Sequence, residues 1–267
     1  MTIDFPILDE NDYTRIRKQL HSLARIIGRF REVLVKATVK NGNLWLNVYE
    51  NGFRIPLMEQ YGELEINVNL QKLRVEVVNP NIIYTVDIDG DSTSSIEVEL
   101  VKILGELQIG IDESKISLGF EHDFDLDRES TGQFLTQMVN YNDLLKAFQK
   151  TIHEGTKTQI CLWPHHFDNA FIWYSGNQIN GIDGQIEIGV SNGDESSALP
   201  YIYMTPWPIP AGIGEIRLTD GASLHTEGWT GVILPYKTVE GERNYEAQKE
   251  LISVFLNTTF EQLNKEL

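Results

Sequence analysis

The run LEINVNLQKLRVEVVNPNIIYTVDI, residues 64 to 88, sets the fold class. Within it Leu64, Ile66 and Val68, then Leu73, Val75 and Val77, then Tyr84, Val86 and Ile88 alternate with their neighbours, the period-two pattern of strands with one face turned to a core. Upstream, Leu44, Leu46 and Val48 repeat the pattern. Asn41-Gly42 and Asn51-Gly52 punctuate it with a dipeptide that accepts the positive φ of tight turns. The spacing predicts an antiparallel meander.

Helices flank this meander. From Asn11 to about Val35, Ile16, Leu20, Leu23, Ile26, Ile27 and Phe30 recur at helical spacing among Arg and Lys, which predicts an amphipathic helix. Ser94 or Ser95 is placed to cap a second helix running to about Leu107. A third spans about Thr131 to His153, after an acidic loop from Glu121 to Glu129. Further strand signals follow at Thr158 to Trp163, Ala170 to Tyr174, Gln185 to Val190, Tyr201 to Thr205 and Val232 to Leu234, and a helix from about Asn244 to Leu263 comes last. Strands and helices do not alternate as βαβ units, so the expectation is α+β: antiparallel sheets with flanking N-terminal, middle and C-terminal helices. A soft division near residue 155 separates 1–155, a helix plus meander and two helices, from 156–267, an aromatic-rich sheet with a C-terminal helix; a single domain is the alternative, because no linker marks the boundary.

Composition narrows the functions. With 267 residues, 41% of them hydrophobic, the chain can bury a substantial core. Cys161 is its one cysteine, which excludes an intramolecular disulfide and zinc sites built from several thiolates. A formal charge of −17, from 39 acids against 22 bases, repels phosphate backbones and anionic lipid, so neither nucleic acid nor membrane is an expected partner. No secretory pattern and no apolar run near the roughly 20 residues of a bilayer span is present, so a cytoplasmic protein is expected. Rossmann and P-loop glycine patterns are absent from the sequence.

Chemistry-bearing residues concentrate between Leu162 and Trp207. His165, His166 and Asp168 cluster, and on a strand His166 and Asp168 would share one side as an acid/base or ligand-orienting pair. A metal would need a third ligand, with His225, Asp194 and His153 the candidates, and no established metal spacing is present. Gly189-Val190-Ser191-Asn192-Gly193 matches the nucleophile-elbow pattern, with Asp220 and His225 following in hydrolase order. That elbow needs a helix directly afterwards, and Pro200 leads into a strand instead, so a glycine-rich strand-end loop is expected. Trp163, Trp173, Trp207 and Trp229 all fall in this half with Tyr201, Tyr203 and Tyr236, as pocket walls or as core. Alternation places Tyr201 and Tyr203 on one face, with Ile202 and Met204 on the other. The acid runs at Asp87 to Asp91 and Asp123 to Asp127 fail the spacing of a calcium loop, since the twelfth positions are Val98 and Phe134.

Several of these segments together resemble a family of uncharacterised bacterial proteins grouped as a domain of unknown function. The likeness rests on Ile26-Ile27-Gly28-Arg29, Leu162 to Asp168 (LWPHHFD), Gly189 to Asp194 (GVSNGD), Pro200 to Tyr203 with Pro206-Trp207, and Leu234-Pro235-Tyr236. It covers nearly the whole length and implies no activity, cofactor or catalytic residue. His165 stands where similar proteins carry Glu, so the likeness attaches to His166 and Asp168 rather than to His165.

The resulting expectation is a pocket for a small molecule around WPHHFD and GVSNGD. His166 and Asp168 are its reactive pair, Ser191 and Asp194 its polar groups, Tyr201 and Tyr203 an aromatic face, and Trp163 and Trp207 its walls. A non-catalytic interaction or assembly module is the second reading, and a metal-dependent hydrolase the third. Neither a cofactor nor an oligomeric state can be named from the sequence.

Overall fold

A computed structural model describes residues 4–36, 44–117, 119 and 121–267. It is an α+β protein with two antiparallel sheets. The chain groups into two compact units that interleave: one comprises Asn11–Leu135 and Cys161–Phe167, the other Met1–Glu10, Thr136–Ile160 and Asp168–Leu267. No single cut near residue 155 separates them.

In the first unit, helix α1 (Glu10–Leu34) follows its apolar spacing: Ile16, Leu20, Leu23, Ile27 and Phe30 are fully buried. It also buries Arg31, whose guanidinium lies 4.0 Å from the centroid of the Trp45 ring and whose pKa is pulled down to about 10 by burial. The meander runs in sequence order through β1 (Asn47–Tyr49), β2 (Gly52–Met58), β3 (Leu64–Asn69), β4 (Arg74–Asn79) and β5 (Ile82–Asp87). Ile66, Val68, Val75 and Val77 are fully buried, as their alternation requires. Strand β2 went unrecognised in the sequence because Arg54 and Pro56 interrupt its pattern, and its register with β3 shifts between Ile55 and Met58. The Asn51-Gly52 turn falls at the β1–β2 hairpin, where Tyr49 pairs with Gly52; Asn41-Gly42 lies outside the described residues.

Two helix starts differ from expectation. Helix α2 (Thr93–Glu106) is capped by Ser92, whose side chain accepts from Ser95 N at 3.3 Å, rather than by Ser94 or Ser95. Ser92 has the extended backbone that a cap requires, whereas Ser94 and Ser95 are already helical. Helix α3 (Arg128–Thr151) begins three residues earlier than predicted, because Asp127 accepts from Ser130 N at 2.7 Å and starts the first turn.

The second unit is built on β6 (Thr156–Lys157), β8 (Asp168–Ile179), β9 (Ile182–Ser191), β10 (Tyr201–Trp207), β11 (Ser223–His225) and β12 (Gly231–Pro235), in the spatial order β11-β12-β10-β9-β8-β6. Strand β7 (Cys161–Trp163) belongs to the first unit, where Leu162 and Leu46 exchange backbone hydrogen bonds of 2.8 Å. One face of the β8-to-β12 sheet presents Phe171, Trp173, Ile186, Ile188, Ile202, Met204, Val232 and Leu234, all buried. Against it pack Phe148 of α3, 6.5 Å from Phe171, and Phe260 of helix α5 (Tyr245–Glu266), 5.0 Å from Trp173. The short helix α4 (Tyr236–Glu240) and the segment before α1 complete this unit. Phe5 sits 4.6 Å from the Tyr141 ring, its N–H donates to Gln248 Oε1 at 3.0 Å, and Tyr236 Oη donates to Pro6 O at 2.6 Å. Among the described residues no helix is long and apolar enough to cross a membrane.

Candidate functional site

The opposite face of that second sheet carries the polar chemistry. Ladder register aligns Asp168 with Ser191 and Tyr201, Ala170 with Gly189 and Tyr203, and Ile172 with Glu187 and Thr205 across β8, β9 and β10. Because side chains alternate along a strand, these rows and the next, Tyr174, Gln185 and Trp207, share one face.

Gly189 explains how the face is organised. A Cβ built there would lie 2.7 Å from Tyr203 Oη and 2.6 Å from Ala170 Cβ, so only glycine lets the phenol lie across β9. The Tyr203 hydroxyl thereby reaches past β9 and donates to Asp168 Oδ2, with Glu187 Oε1 at 3.1 Å from the same oxygen. One phenol hydrogen thus stands between two carboxyl groups. Burial, with the charges of Asp168 and Glu187, pushes the Tyr203 pKa far above its ordinary value, so the phenol stays protonated.

Beside this cluster the loop after β9 is tied from within. Ser191 Oγ accepts from Gly193 N at 3.1 Å, and Asp194 Oδ1 accepts from Ser196 N at 2.7 Å and Ser197 N at 3.0 Å. Tyr201 Oη donates to Asp194 Oδ2 at 2.5 Å, and Gln137 of α3 donates to Asn192 Oδ1 at 3.1 Å. Burial raises the Asp194 pKa, but hydrogen bonds from Ser196, Tyr201 and Ser197 outweigh it and hold the carboxyl below its ordinary range. Ser191 ends β9 and the chain proceeds through this loop to β10, so the helix of a nucleophile elbow is absent from that position.

Trp229 closes over the tyrosines. Its ring is stacked 6.4 Å from Tyr201, edge-on 6.0 Å from Tyr203 and 4.2 Å from His225. Gly231 allows this fold-back, since a Cβ there would sit 2.7 Å from Trp229 Cζ3. Trp229 and Trp207 line a cavity of about 420 Å³ with Thr205, Pro206, Ile209, Thr226, Gly228 and Thr230. Trp207 is 49% exposed, unusual for the largest apolar side chain.

Trp163, His165 and His166 lie in the first unit, whereas His153 and Asp220 lie in the second. Trp163 ends β7 half-buried, and Pro164 to Phe167 form a turn in which His165 and His166 are exposed. His166 is therefore not on a strand, and the period-two argument that joined it to Asp168 does not apply. The turn is held by Phe167 N donating to Trp163 O at 2.7 Å and by a 3.0 Å hydrogen bond between His21 Nε2 and Pro164 O. Sequence reasoning missed Glu187 and Gly231, although alternation from Ser191 through Gly189 to Glu187 marks that acid's face. Among the described residues, no group of three or more His, Cys, Asp or Glu side chains is placed to hold a metal ion.

No curated protein and no solved structure matches the chain. One family model does, described as a family of unknown function (DUF5996), and it matches residues 5–266. That match spans both interleaved units, from the Phe5 anchor to the last turn of α5, and the chain belongs to this family.

Proposed function

We propose that this chain binds a small organic molecule in the Trp207/Trp229 cavity. The observation that carries the reading is a half-exposed Trp207 sharing a cavity of about 420 Å³ with Trp229, a volume within the range of ligand pockets, roughly 300–1,000 Å³. The walls offer two indole faces, and Thr205, Thr226 and Thr230 offer hydroxyls. Glu187 pairs in register with Thr205. Indole faces, threonine hydroxyls and the part-exposed Glu187 on the neighbouring strand favour ligands that bring hydrogen-bond donors, hydroxyl or ammonium, on a flat or apolar ring. The overall charge of −17 works in the same direction, concentrating cations and repelling anions. In this reading Asp168 fixes Tyr203, Ser191 and Asp194 fix the adjoining loop, and Tyr201 supports Trp229.

The test is a thermal-shift and tryptophan-fluorescence screen of the full chain against ring-bearing amines, sugars and organic acids. Amines or sugars should give saturable hits, weakened about tenfold or more by Trp207→Ala and Trp229→Ala. Glu187→Gln should weaken amines more than neutral sugars. Hits that bind both tryptophan variants as tightly as the parent would overturn the assignment. Exposure of Trp207 beside Ile209, 45% exposed, favours a protein-interaction surface as the second reading. Light scattering that reports an assembly, together with loss of Trp207 quenching by acrylamide in it, would support that reading over the first.

A further inference from the structure

We propose that a second cavity, between α1 and the Pro164–Phe167 turn, binds a small oxyanion such as a carboxylate or a phosphate monoester. The cavity, about 270 Å³, is bordered by Arg25, Arg29 and Glu32 of α1, by Leu44, and by Pro164 and His165. In a chain whose acids outnumber its bases by 39 to 22, two arginines and an imidazole gathered at one concavity are the exception. Arg25 and Arg29 stand at i and i+4, on one face of the helix. A guanidinium presents paired N–H donors that match the two oxygens of a carboxylate or phosphate.

The walls are set before any ligand arrives. Gly28 abuts the turn so closely that a Cβ would lie 2.8 Å from Pro164 Cγ. The His21 ring bonds the Pro164 carbonyl and stacks 5.2 Å from Phe167 at an interplanar angle of 4°, and Phe167 stacks in turn on Phe134 at 5.8 Å. These contacts hold His165 on a turn that does not have to order on binding, which spares the ligand that entropic cost. Glu32 supplies the competing interaction, since its Oε2 lies 3.0 Å from Arg29 Nη1. An arriving anion takes Arg29 from Glu32.

Affinity should depend on pH with a defined sign. The His165 ring, exposed on one side, is held below its ordinary pKa of 6.5 first by the partial burial of the rest and next by His166, with Glu32 acting in the opposite sense. Among the described residues the charged and titratable groups around it are His21, Arg25, Arg29 and Glu32 of α1 and His166 of its own turn. A bound anion stabilises the protonated ring, so binding tightens as pH falls through the ring's pKa and weakens above it.

The experiment titrates the full chain with inorganic phosphate, with acetate and with chloride at matched ionic strength, following the histidine Cε1–H signals by NMR at pH 5.5 and 7.5. The His165 signal is identified by its loss in His165→Gln. Saturable shifts of that signal with phosphate or acetate, tighter at pH 5.5, are expected. Response to phosphate over acetate identifies a phosphate group as the ligand chemistry, and the reverse a carboxylate. Arg29→Gln should weaken binding about tenfold, as loss of a charge-assisted hydrogen bond does, whereas Glu32→Gln should tighten it and Arg15→Gln, on another part of α1, should leave it unchanged. Tightening by Glu32→Gln cannot come from misfolding. Equal responses to all three salts, or equal affinity in Arg29→Gln and the parent, would overturn the proposal without touching the Trp207/Trp229 reading.

Discussion

Gly189 has no side chain, and the polar face of the second unit depends on that absence. Tyr203 and Asp168 are separated by a whole strand, and their hydrogen bond forms because the intervening position is empty above the sheet. Gly189→Ala places a methyl group 2.7 Å from the phenol oxygen and so displaces the ring. The expected cost is about 1–3 kcal/mol, as for overpacking elsewhere, read as a lower midpoint in urea. In a Tyr203→Phe background the same change should cost somewhat less, since the phenol oxygen is gone while Ala170 Cβ at 2.6 Å and the ring carbon at 2.8 Å still clash. The sequence showed that Tyr201 and Tyr203 share a face, because alternation is local. It could not show that Tyr203 reaches Asp168, because that contact depends on which strands are neighbours and in what register. His166 illustrates the opposite failure: period-two spacing was applied across Pro164 to Phe167, where Phe167 takes a positive φ of 57° and the chain turns.

At the scale of elements, continuous alternation made strands readable and interruptions hid them. Strands β3, β4 and β5 came through because Leu64, Ile66 and Val68, Val75 and Val77, and Tyr84 and Val86 keep the two-residue period, whereas β2 carries Pro56 and a register shift. Helix interiors were legible from their apolar stripe, but their first residues were not. Capping turns on backbone conformation, and three nearby serines, Ser92, Ser94 and Ser95, look equivalent as letters. Ser92→Ala should destabilise the fold by about 1 kcal/mol, the usual worth of a cap. Ser94→Ala, whose exposed hydroxyl meets Glu121, should stay within about 0.5 kcal/mol of the parent. Chemical denaturation of the two variants side by side distinguishes them.

For the whole molecule, the α+β class followed from antiparallel runs that lack βαβ alternation, and the structure has that class. Interleaving was not legible, because nothing in composition changes where the chain passes between units, at the start of α1, within α3 and on either side of Cys161–Phe167. Residues 156–267 expressed without the rest would lack Phe5 and the Phe148 and Tyr141 of α3, and so the aromatic packing on Phe171 and Tyr236. That fragment should show poor NMR dispersion and bind a hydrophobic dye, while the full chain does neither.

The hydrogen bond from Phe5 to Gln248 spans 243 positions of the chain, and it orders events during synthesis. The unit made of Asn11–Leu135 and Cys161–Phe167 has all its residues once Phe167 has left the ribosome. The other unit, which owns the earliest described residues, must wait for α5. Its Phe5 anchor is made before α1 and is seated only after α5 has followed, so while residues 168 to 267 are being added the growing chain carries a finished half and an open one.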